Sequence, residues 1–245
     1  FVDFDNDGDV DALNGNGMDD PETTDDDWAV NQKARLYVNQ GEEERFKMID
    51  EAMIRGIADT SDNRGTMAFD YDLDGDLDVL VINHGETPAL YRNDGGNYYD
   101  YLRVQVLEKN GRESIGAKVW IKAEEGDDEH HPDLFQEIGS SAAFLGQTEA
   151  VAHFGLGVGS GDDGVVYRVK VQWPPIIKAN LTVNTNVGKP GPMLDANRIE
   201  TVYVYNVPRR STLIVHRGSD NDDGYEFKFE GHNLNVCASF KRTTT

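Results

Sequence analysis

Two short acidic stretches carry the residues of this chain that are best suited to chemistry. They read Asp3-Phe-Asp5-Asn-Asp7-Gly8-Asp9-Val-Asp11 and Asp70-Tyr-Asp72-Leu-Asp74-Gly75-Asp76-Leu-Asp78. In both, aspartate occupies every second position and a glycine follows the third aspartate. Carboxylates this close together repel one another unless a cation neutralises them, and calcium prefers a flexible shell of oxygen ligands. The glycine allows the sharp turn that bends such a loop around an ion.

The spacing predicts a ligand set for each ion. The first three aspartates of a loop would bind through side-chain oxygens, the fourth through its backbone carbonyl, and the fifth would close the shell. Magnesium, or a solvated acidic turn without any ion, is the alternative. The predicted ligands of two Ca²⁺ sites are Asp3, Asp5, Asp7, Asp9 and Asp11 in the first loop and Asp70, Asp72, Asp74, Asp76 and Asp78 in the second.

The residues after the loops distinguish these sites from EF-hands. An EF-hand loop begins in the same way, but it needs a glutamate at its twelfth position and runs into a helix. Here that position holds Asn14 in the first loop and Val81 in the second. The following segments, Val10-Asp-Ala-Leu and Leu77-Asp-Val-Leu-Val-Ile, are short, apolar and partly β-branched. They predict strands, so we expect calcium loops between β-strands.

Each loop is followed by a second repeated motif. The two copies are Leu36-Tyr37-Val-Asn39-Gln-Gly41 and Leu90-Tyr91-Arg-Asn93-Asp-Gly95. The first copy lies further from its loop because of the acidic segment 18–27, which predicts a surface insertion that is either solvated or able to bind further cation. Segment 43–57 has apolar residues at a spacing that fits either a short helix or an irregular connection.

From Tyr98 onward the sequence pattern is typical of a β-sandwich. Short alternating segments recur at regular intervals and are separated by turn signals such as Asn110-Gly111. The last segment, 216–245, is polar with a late apolar stretch at 234–240. The predicted strands are 101–107, 116–122, 136–138, 150–154, 165–173, 201–205 and 211–215.

Composition limits the classes of partner. The chain has 245 residues and a formal net charge of −22, from 45 acidic and 23 basic residues. This charge argues against nucleic acid or an anionic membrane surface as the main partner, and it fits an extracellular protein that binds divalent cations. No apolar run approaches the roughly 20 residues of a membrane span. The single cysteine, Cys237, excludes an intrachain disulfide; a buried thiol, an intermolecular link or a metal ligand remain.

These motifs resemble a known pairing of domains. The second acidic loop with Leu90-Tyr91-Arg-Asn93 is similar to the FG-GAP/VCBS-type repeat of calcium-binding β-propellers, and the part that follows resembles the ASPIC/UnbV domain of the cartilage acidic protein 1-like family. The resemblance implies calcium in the loops, a secreted or surface location, and adhesive or matrix-like roles. The residues that carry the second resemblance are Tyr101-Leu-Arg-Val, Ile115-Gly-Ala-Lys-Val, Gly139-Ser-Ser, Phe144-Leu, His153-Phe-Gly-Leu-Gly157 and Val169-Lys-Val-Gln-Trp-Pro174.

The predicted fold is all-β, with two propeller-type calcium-loop repeats forming a partial propeller (1–97), a β-sandwich (98–215) and a polar tail (216–245). A propeller needs roughly four to eight blades, and the first repeat starts inside its opening strand. Three explanations stay open. The chain is part of a longer protein, or a partner adds the missing strand, with 234–240 as a candidate donor in a filament, or the repeats form a compact arrangement that is not a propeller.

Several weaker signals have ordinary alternatives. The run Asp220-Asn-Asp222-Asp223 resembles a third calcium loop but breaks the alternating register. Asp127 to His131 is either a transition-metal site or a solvated loop, and Gly155 to Gly161 predicts a turn rather than a phosphate loop. Asn180-Leu-Thr182 is a glycosylation sequon, which predicts a glycan at Asn180 or arises by chance. His153, in an apolar strand, is expected to be a satisfied core histidine.

The expected function is that of an extracellular, calcium-binding structural or adhesive protein, with self-association or a longer parent chain as its context. The alternative is a calcium-dependent module that binds glycan or protein within a larger secreted protein. We expect no enzymatic activity, because neither Gly-x-Ser-x-Gly nor His-Glu-x-x-His occurs.

Overall fold

The structure is a computed structural model, and it describes most but not all of the chain. The sequence features at 18–27, Asp127 to His131, Asn180 to Thr182, Asp220 to Asp223 and Cys237 lie outside the described residues. The side chains of 226, 231 and 239–244 are also outside them. The described residues are 1–17, 33–58, 60–123, 125, 133–139, 146–158, 164–174, 200–218, 226–231 and 239–244.

The first part of the chain forms two small antiparallel sheets. The first sheet has the strand order β1-β2-β3 and the second has the order β4-β5-β6, so both are simple meanders. The second acidic loop joins β4 to β5, as predicted, and the first precedes β1. The strands are β1 (Ala12–Asn14), β2 (Arg35–Asn39), β3 (Met48–Asp50), β4 (Asn63–Phe69), β5 (Asp78–Asn83) and β6 (Ala89–Tyr91).

The two copies of the repeat differ at their start. In the second copy the seven-residue strand β4 pairs along β5. In the first copy only the isolated bridge between Val2 and Asp11 stands in the place of β4. The bridge between Val2 and Asp11 corresponds to the pair Phe69–Asp78 at the end of β4.

Segment 43–57 takes the irregular form rather than the helical one. It contains β3 between two turns, and Arg45 and Phe46 both have positive φ, at 58° and 54°. Two consecutive left-handed residues interrupt the dihedral repeat that a helix requires. Ile57 is buried while Phe46 and Met53 are exposed, so the apolar residues do not share one face.

The second part of the chain forms two larger sheets. A four-stranded sheet has the order β10-β7-β13-β14, and a five-stranded sheet has the order β15-β12-β11-β8-β9. Only β7 and β13 pair in parallel. The strands are β7 (Tyr101–Leu107), β8 (Lys118–Lys122), β9 (Leu134–Glu137), β10 (Val151–Gly155), β11 (Val165–Gln172), β12 (Glu200–Pro208), β13 (Ser211–His216), β14 (Glu226–Gly231) and β15 (Ser239–Thr244).

Both larger sheets contribute to one hydrophobic core, which makes this part sandwich-like. Alternate residues of β7, namely Leu102, Val104 and Val106, are fully buried, and Val169 and Val171 of β11 lie in the same cluster. This is the period of two expected for strands with one face on a core. Burial of such β-branched and leucine side chains stabilises each by about 1.5–3 kcal/mol relative to exposure.

The segment that the sequence set apart as a tail contributes strands to both larger sheets. β14 pairs with β13, and β15 pairs with β12 along Tyr205 to Glu200. The proposed donor segment 234–240 therefore ends in a strand, starting at Ser239, that is hydrogen-bonded within its own chain. Residues 232–238 lie outside the described part.

The all-β prediction is confirmed for the described residues. Their one helical element is a single 3₁₀ turn, Gly96–Tyr98, and none of their sheets closes on itself. Within the same residues, no helix has the length and apolar character needed to cross a membrane.

Candidate calcium sites

Each acidic loop brings three carboxylates together. In the first loop, oxygens of Asp3, Asp5 and Asp11 all lie within 4.8 Å of one another, and the equivalent aspartates of the second loop form the same group. Two charges at that distance repel by about 3 kcal/mol at an effective dielectric constant of about 20. The loops therefore hold a concentration of negative charge that a divalent cation would relieve. The second group is Asp70, Asp72 and Asp78.

The two loops share one backbone conformation. Gly8 and Gly75 have φ of 98° and 99°, and the residues two positions earlier, Asn6 and Leu73, have φ of 59° and 62°. The glycine conformation is one that residues with a Cβ rarely adopt. This agreement between residues far apart in sequence indicates one structural motif built twice.

The ninth residue of each loop is held by the same backbone donors. Asp11 Oδ2 accepts from the Phe4 N–H at 2.8 Å, and Asp78 Oδ2 accepts from the Tyr71 N–H at 3.0 Å. These bonds close the loop, because donor and acceptor lie at its two ends. They also orient the carboxylate toward the first and third positions.

The repeated Leu-Tyr-x-Asn-x-Gly motif supplies the other donor to that carboxylate. The Asn39 N–H donates to Asp11 Oδ1 and the Asn93 N–H donates to Asp78 Oδ1, both at 2.8 Å. Each asparagine side chain then accepts from the glycine two residues later. The motif is visible in the sequence, but its role as a hydrogen-bond donor to the loop is not. The repetition of the motif after each loop is the sequence feature that points to this role.

The fifth position of each loop also shapes the backbone, and its predicted role as a ligand stays a prediction. Asp7 and Asp74 are outside the groups of three, and their Oδ1 atoms accept from the N–H groups of Asp9 and Asp76, at 2.9 and 3.2 Å. Such aspartate turns shape the backbone. Asp74 Oδ2 also accepts from the Asn97 side chain at 2.8 Å. The structure thus brings together positions one, three and nine of the predicted ligand set.

Some loop oxygens are buried without a hydrogen-bond partner. They are Oδ1 of Asp3, Asp5 and Asp76, and Asp3 is only 6% exposed. Burial, with the neighbouring charges of Asp7 and Asp11, raises the pKa of Asp3 to about 8. Burial and then the charge of Asp74 raise the pKa of Asp76 to about 7. A buried acceptor without a donor is the environment that a bound cation satisfies.

Asn6 joins the two loops to each other. Its side-chain N–H₂ donates to the backbone carbonyls of Gly75, at 2.9 Å, and Gly96, at 3.1 Å. Its Oδ1 lies 2.7 Å from Nε2 of His153, which donates because Oδ1 can only accept. Burial and the nearby Arg103 lower the pKa of His153 to about 3, so this buried ring is neutral and serves as a positioning residue.

The loops also contact the sandwich-like part directly. The Gly155 N–H donates to Asp3 Oδ2 at 3.1 Å, and Arg103 Nη1 lies 3.4 Å from Asp70 Oδ2. A Cβ on Gly155 would lie 2.1 Å from Asp3 Oδ2. The neighbouring strands β7 and β10 therefore each contact one acidic loop, which explains the position of the His153-Phe-Gly155 motif.

The buried aspartates predict the pH dependence of the calcium-free protein. The pKa of Asp3 is about 8 in the folded chain against an ordinary 3.8, so the folded state binds a proton that the unfolded state releases between these values. The stability from this group is complete below pH 3.8 and is lost as pH rises toward 8. Asp11, whose pKa rises to about 6 mainly through burial, acts in the same direction.

We therefore expect protein freed of calcium on a chelating resin to melt at a higher temperature at pH 5.5 than at pH 8. Scanning calorimetry across this range measures the effect. With calcium added the slope should reverse, because protons then compete with the ion. In Asp3→Asn the slope of the calcium-free protein should flatten; an unchanged slope would contradict the assignment to Asp3.

Comparisons with known proteins agree with part of the expected resemblance. A family described as ASPIC and UnbV matches residues 107–187. Cartilage acidic protein 1 from Xenopus tropicalis and from Mus musculus is each 32% identical over 125 residues, which cover 49% of this chain and 18% of those proteins. The Homo sapiens protein has the same identity and is covered over 17% of its length. The resemblance of residues 1–97 to FG-GAP/VCBS repeats stays a prediction, and residues 107–187 of this chain are similar to the ASPIC and UnbV family.

Proposed function

We propose that this chain is an extracellular, calcium-binding structural protein without catalytic activity. Two calcium ions would hold its two acidic-loop repeats together and fix them against the sandwich-like part. We also propose that the two small sheets correspond to blades of a partial propeller. The similarity to cartilage acidic protein 1, which carries cartilage in its name, supports the extracellular assignment.

The observation that carries the calcium proposal is the pair of matching carboxylate groups, each in a loop that holds at least one partnerless buried carboxylate oxygen. Asp3, Asp5 and Asp11 would hold one ion and Asp70, Asp72 and Asp78 the other. Calcium would neutralise the charges of these carboxylates and hold the aspartates of each group together. The donors are all hard oxygens, which suit calcium, and magnesium would retain more of its waters.

A structural role follows from what surrounds the ions. Asp3 accepts from Gly155 of β10, and Asp11 and Asp78 accept from the ends of β2 and β6. The two ions together would therefore connect parts of three sheets: the first would link the first small sheet to β10, and the second would lie beside the end of β6. Because the hydrogen-bond partners of these carboxylates are backbone N–H groups of the fold, the arrangement supports stabilisation over catalysis.

Isothermal titration calorimetry tests the proposal. The calcium-free chain should bind two ions, and Asp5→Asn and Asp72→Asn should each remove one of them. Asp94→Asn is the matched control, since it makes the same charge change at a carboxylate that is 69% exposed and outside both loops. Binding of two ions by all four proteins, or of none by the wild type, would refute the assignment.

A further inference from the structure

The contact between the two small sheets is not symmetric. The first sheet contributes Leu13, Leu36 and Val38 to their shared core, while the second contributes Val79 and Val81, with Tyr91 packed beside them. We call the side of the first sheet that carries Leu13 and Leu36 its leucine face. The side of the second sheet that carries Val79 and Tyr91 is its tyrosine face.

The repeat makes these two faces different surfaces of the same motif. Leu13 and Leu36 are paired across β1 and β2, and their equivalents Leu80 and Leu90 are paired across β5 and β6. Since side chains alternate along a strand, the leucine face of the second sheet points away from the tyrosine face that packs on the first sheet. The second sheet therefore carries, on its outer side, a copy of the surface by which the first sheet packs on it.

This outer leucine face is apolar and open to solvent. Leu90 is 48% exposed and Ile82 36% exposed, and half-buried Met67 pairs with half-buried Leu80 beside them. Four apolar side chains thus form a continuous row across three strands. Exposed apolar surface of this kind marks interaction sites.

The first sheet carries the corresponding surface, on which the Arg35–Asp50 ion pair lies beside Tyr37. Ala12 pairs with Tyr37, as Val79 pairs with Tyr91 in the second sheet. Tyr37 is exposed, and Met48 on the neighbouring strand β3 is exposed on the same side. Among the described residues, the leucine face of the second sheet and the tyrosine face of the first sheet are therefore both partly exposed.

We propose that the leucine face of the second sheet docks on the tyrosine face of the first sheet in a second copy of this chain. This inference rests on the proposed structural function and names its self-association surface. The intramolecular contact between the two sheets provides the template for the docking. The interface is head-to-tail, so it leaves a free face at each end and allows further copies to add. The described strand of the late segment, β15, is already paired with β12, so the docking uses sheet faces rather than exchange of that strand.

The charge of the chain predicts how association responds to solution conditions. Copies with a net charge of −22 repel each other, and each bound calcium offsets two negative charges. Association should therefore be stronger in calcium than in chelator, and stronger at moderate salt than at low salt.

Sedimentation velocity over a wide range of concentration in calcium tests the proposal with three variants of equal charge change. Leu90→Lys alters the leucine face, Tyr37→Lys alters the tyrosine face, and Val158→Lys alters an exposed side chain of the sandwich-like part. The wild type and Val158→Lys should form oligomers that grow with concentration. Leu90→Lys and Tyr37→Lys should each weaken association at least about tenfold, since the first places a charge against the partner's face and the second removes the aromatic ring from the docking surface.

Mixing the two face variants gives the sharpest readout. Each retains the face that the other lacks, so an equimolar mixture should form dimers that do not grow. A wild type that stays monomeric would overturn the proposal, as would association of Leu90→Lys equal to wild type. Loss of association in Leu90→Lys but not in Tyr37→Lys would indicate a symmetric contact and also overturn it.

Two controls keep the outcome decisive. Circular dichroism establishes that each variant is folded, and Ile82→Lys replaces Leu90→Lys if the latter unfolds. Calorimetric calcium binding on the same samples separates the two proposals: a monomer that binds two ions refutes the docking surface alone, whereas failure to bind calcium refutes the proposed function.

Discussion

Removal of calcium is expected to lower the melting temperature of the whole chain by roughly 10–20 °C. A ligand present at about a hundred times its dissociation constant stabilises the folded state by about 2.7 kcal/mol per site. Two such sites give about 5 kcal/mol, and 1 kcal/mol corresponds to about 2–4 °C for a chain of this size. The reason for the size of the effect is that the loops contact the core of the small sheets and β10 together. Scanning calorimetry in calcium and in chelator measures it.

Variants of one loop at a time should show how much each site contributes to the calcium-dependent shift in melting temperature. Asp5→Asn and Asp72→Asn should each lose about half of the calcium-dependent shift, while Asp94→Asn should retain all of it. Magnesium at equal concentration should restore less of the shift than calcium. Equal melting temperatures in calcium and in chelator would refute a structural role for the ion, even if calcium binds.

Replacement of Gly75 by alanine is expected to destabilise the chain by about 4 kcal/mol. The residue has φ of 99°, and an added Cβ would lie 1.9 Å from Cε1 of Tyr101. Left-handed strain contributes about 1–3 kcal/mol and overpacking a similar amount. Because Tyr101 begins β7 and stacks on His153, the clash displaces the contact between the second loop and the sandwich-like part. Denaturant unfolding measures the change.

Gly85→Ala separates strain from clash. Gly85 has φ of 73° and nothing within 4 Å of an added Cβ, so it should cost only about 1–2 kcal/mol. In the Tyr101→Ala background, Gly75→Ala should destabilise the chain much less, because the ring that the new Cβ would meet is absent. A double-mutant cycle measures this difference. If Gly75→Ala and Gly85→Ala are equally stable, the loop does not pack on Tyr101 as described.

The loops and most strands could be predicted because their signals are local. The alternation in Tyr101–Leu107 gave the observed bounds of β7, and the apolar segments after the loops gave β5 and the position of β1. The position of a glycine fixed the shape of each loop, because few residues adopt φ near 100°. In these cases neighbouring residues alone determine the structure.

The contacts around the loops could not be predicted because they join residues distant in sequence. Asn6 looks like a filler between two aspartates, yet its side chain reaches Gly96 and His153. The strand β14 was missed although Glu226-Phe-Lys-Phe-Glu230 alternates polar and apolar residues, because segment 216–245 is polar overall. The described strand β15 begins at Ser239 and so overlaps the late apolar stretch 234–240 by two residues. The spacing predicts Asp7 as a ligand, but it does not reveal the hydrogen bond that Asp7 Oδ1 accepts from the Asp9 N–H.

Anomalous diffraction from a crystal grown in calcium tests directly whether the two acidic loops bind calcium, since it locates the ions themselves. Two anomalous peaks are expected, one among Asp3, Asp5 and Asp11 and the other among Asp70, Asp72 and Asp78. Each should lie about 2.3–2.6 Å from carboxylate oxygens of its group. A crystal soaked in calcium that shows no peak in either loop, or peaks only at other carboxylates, would contradict it.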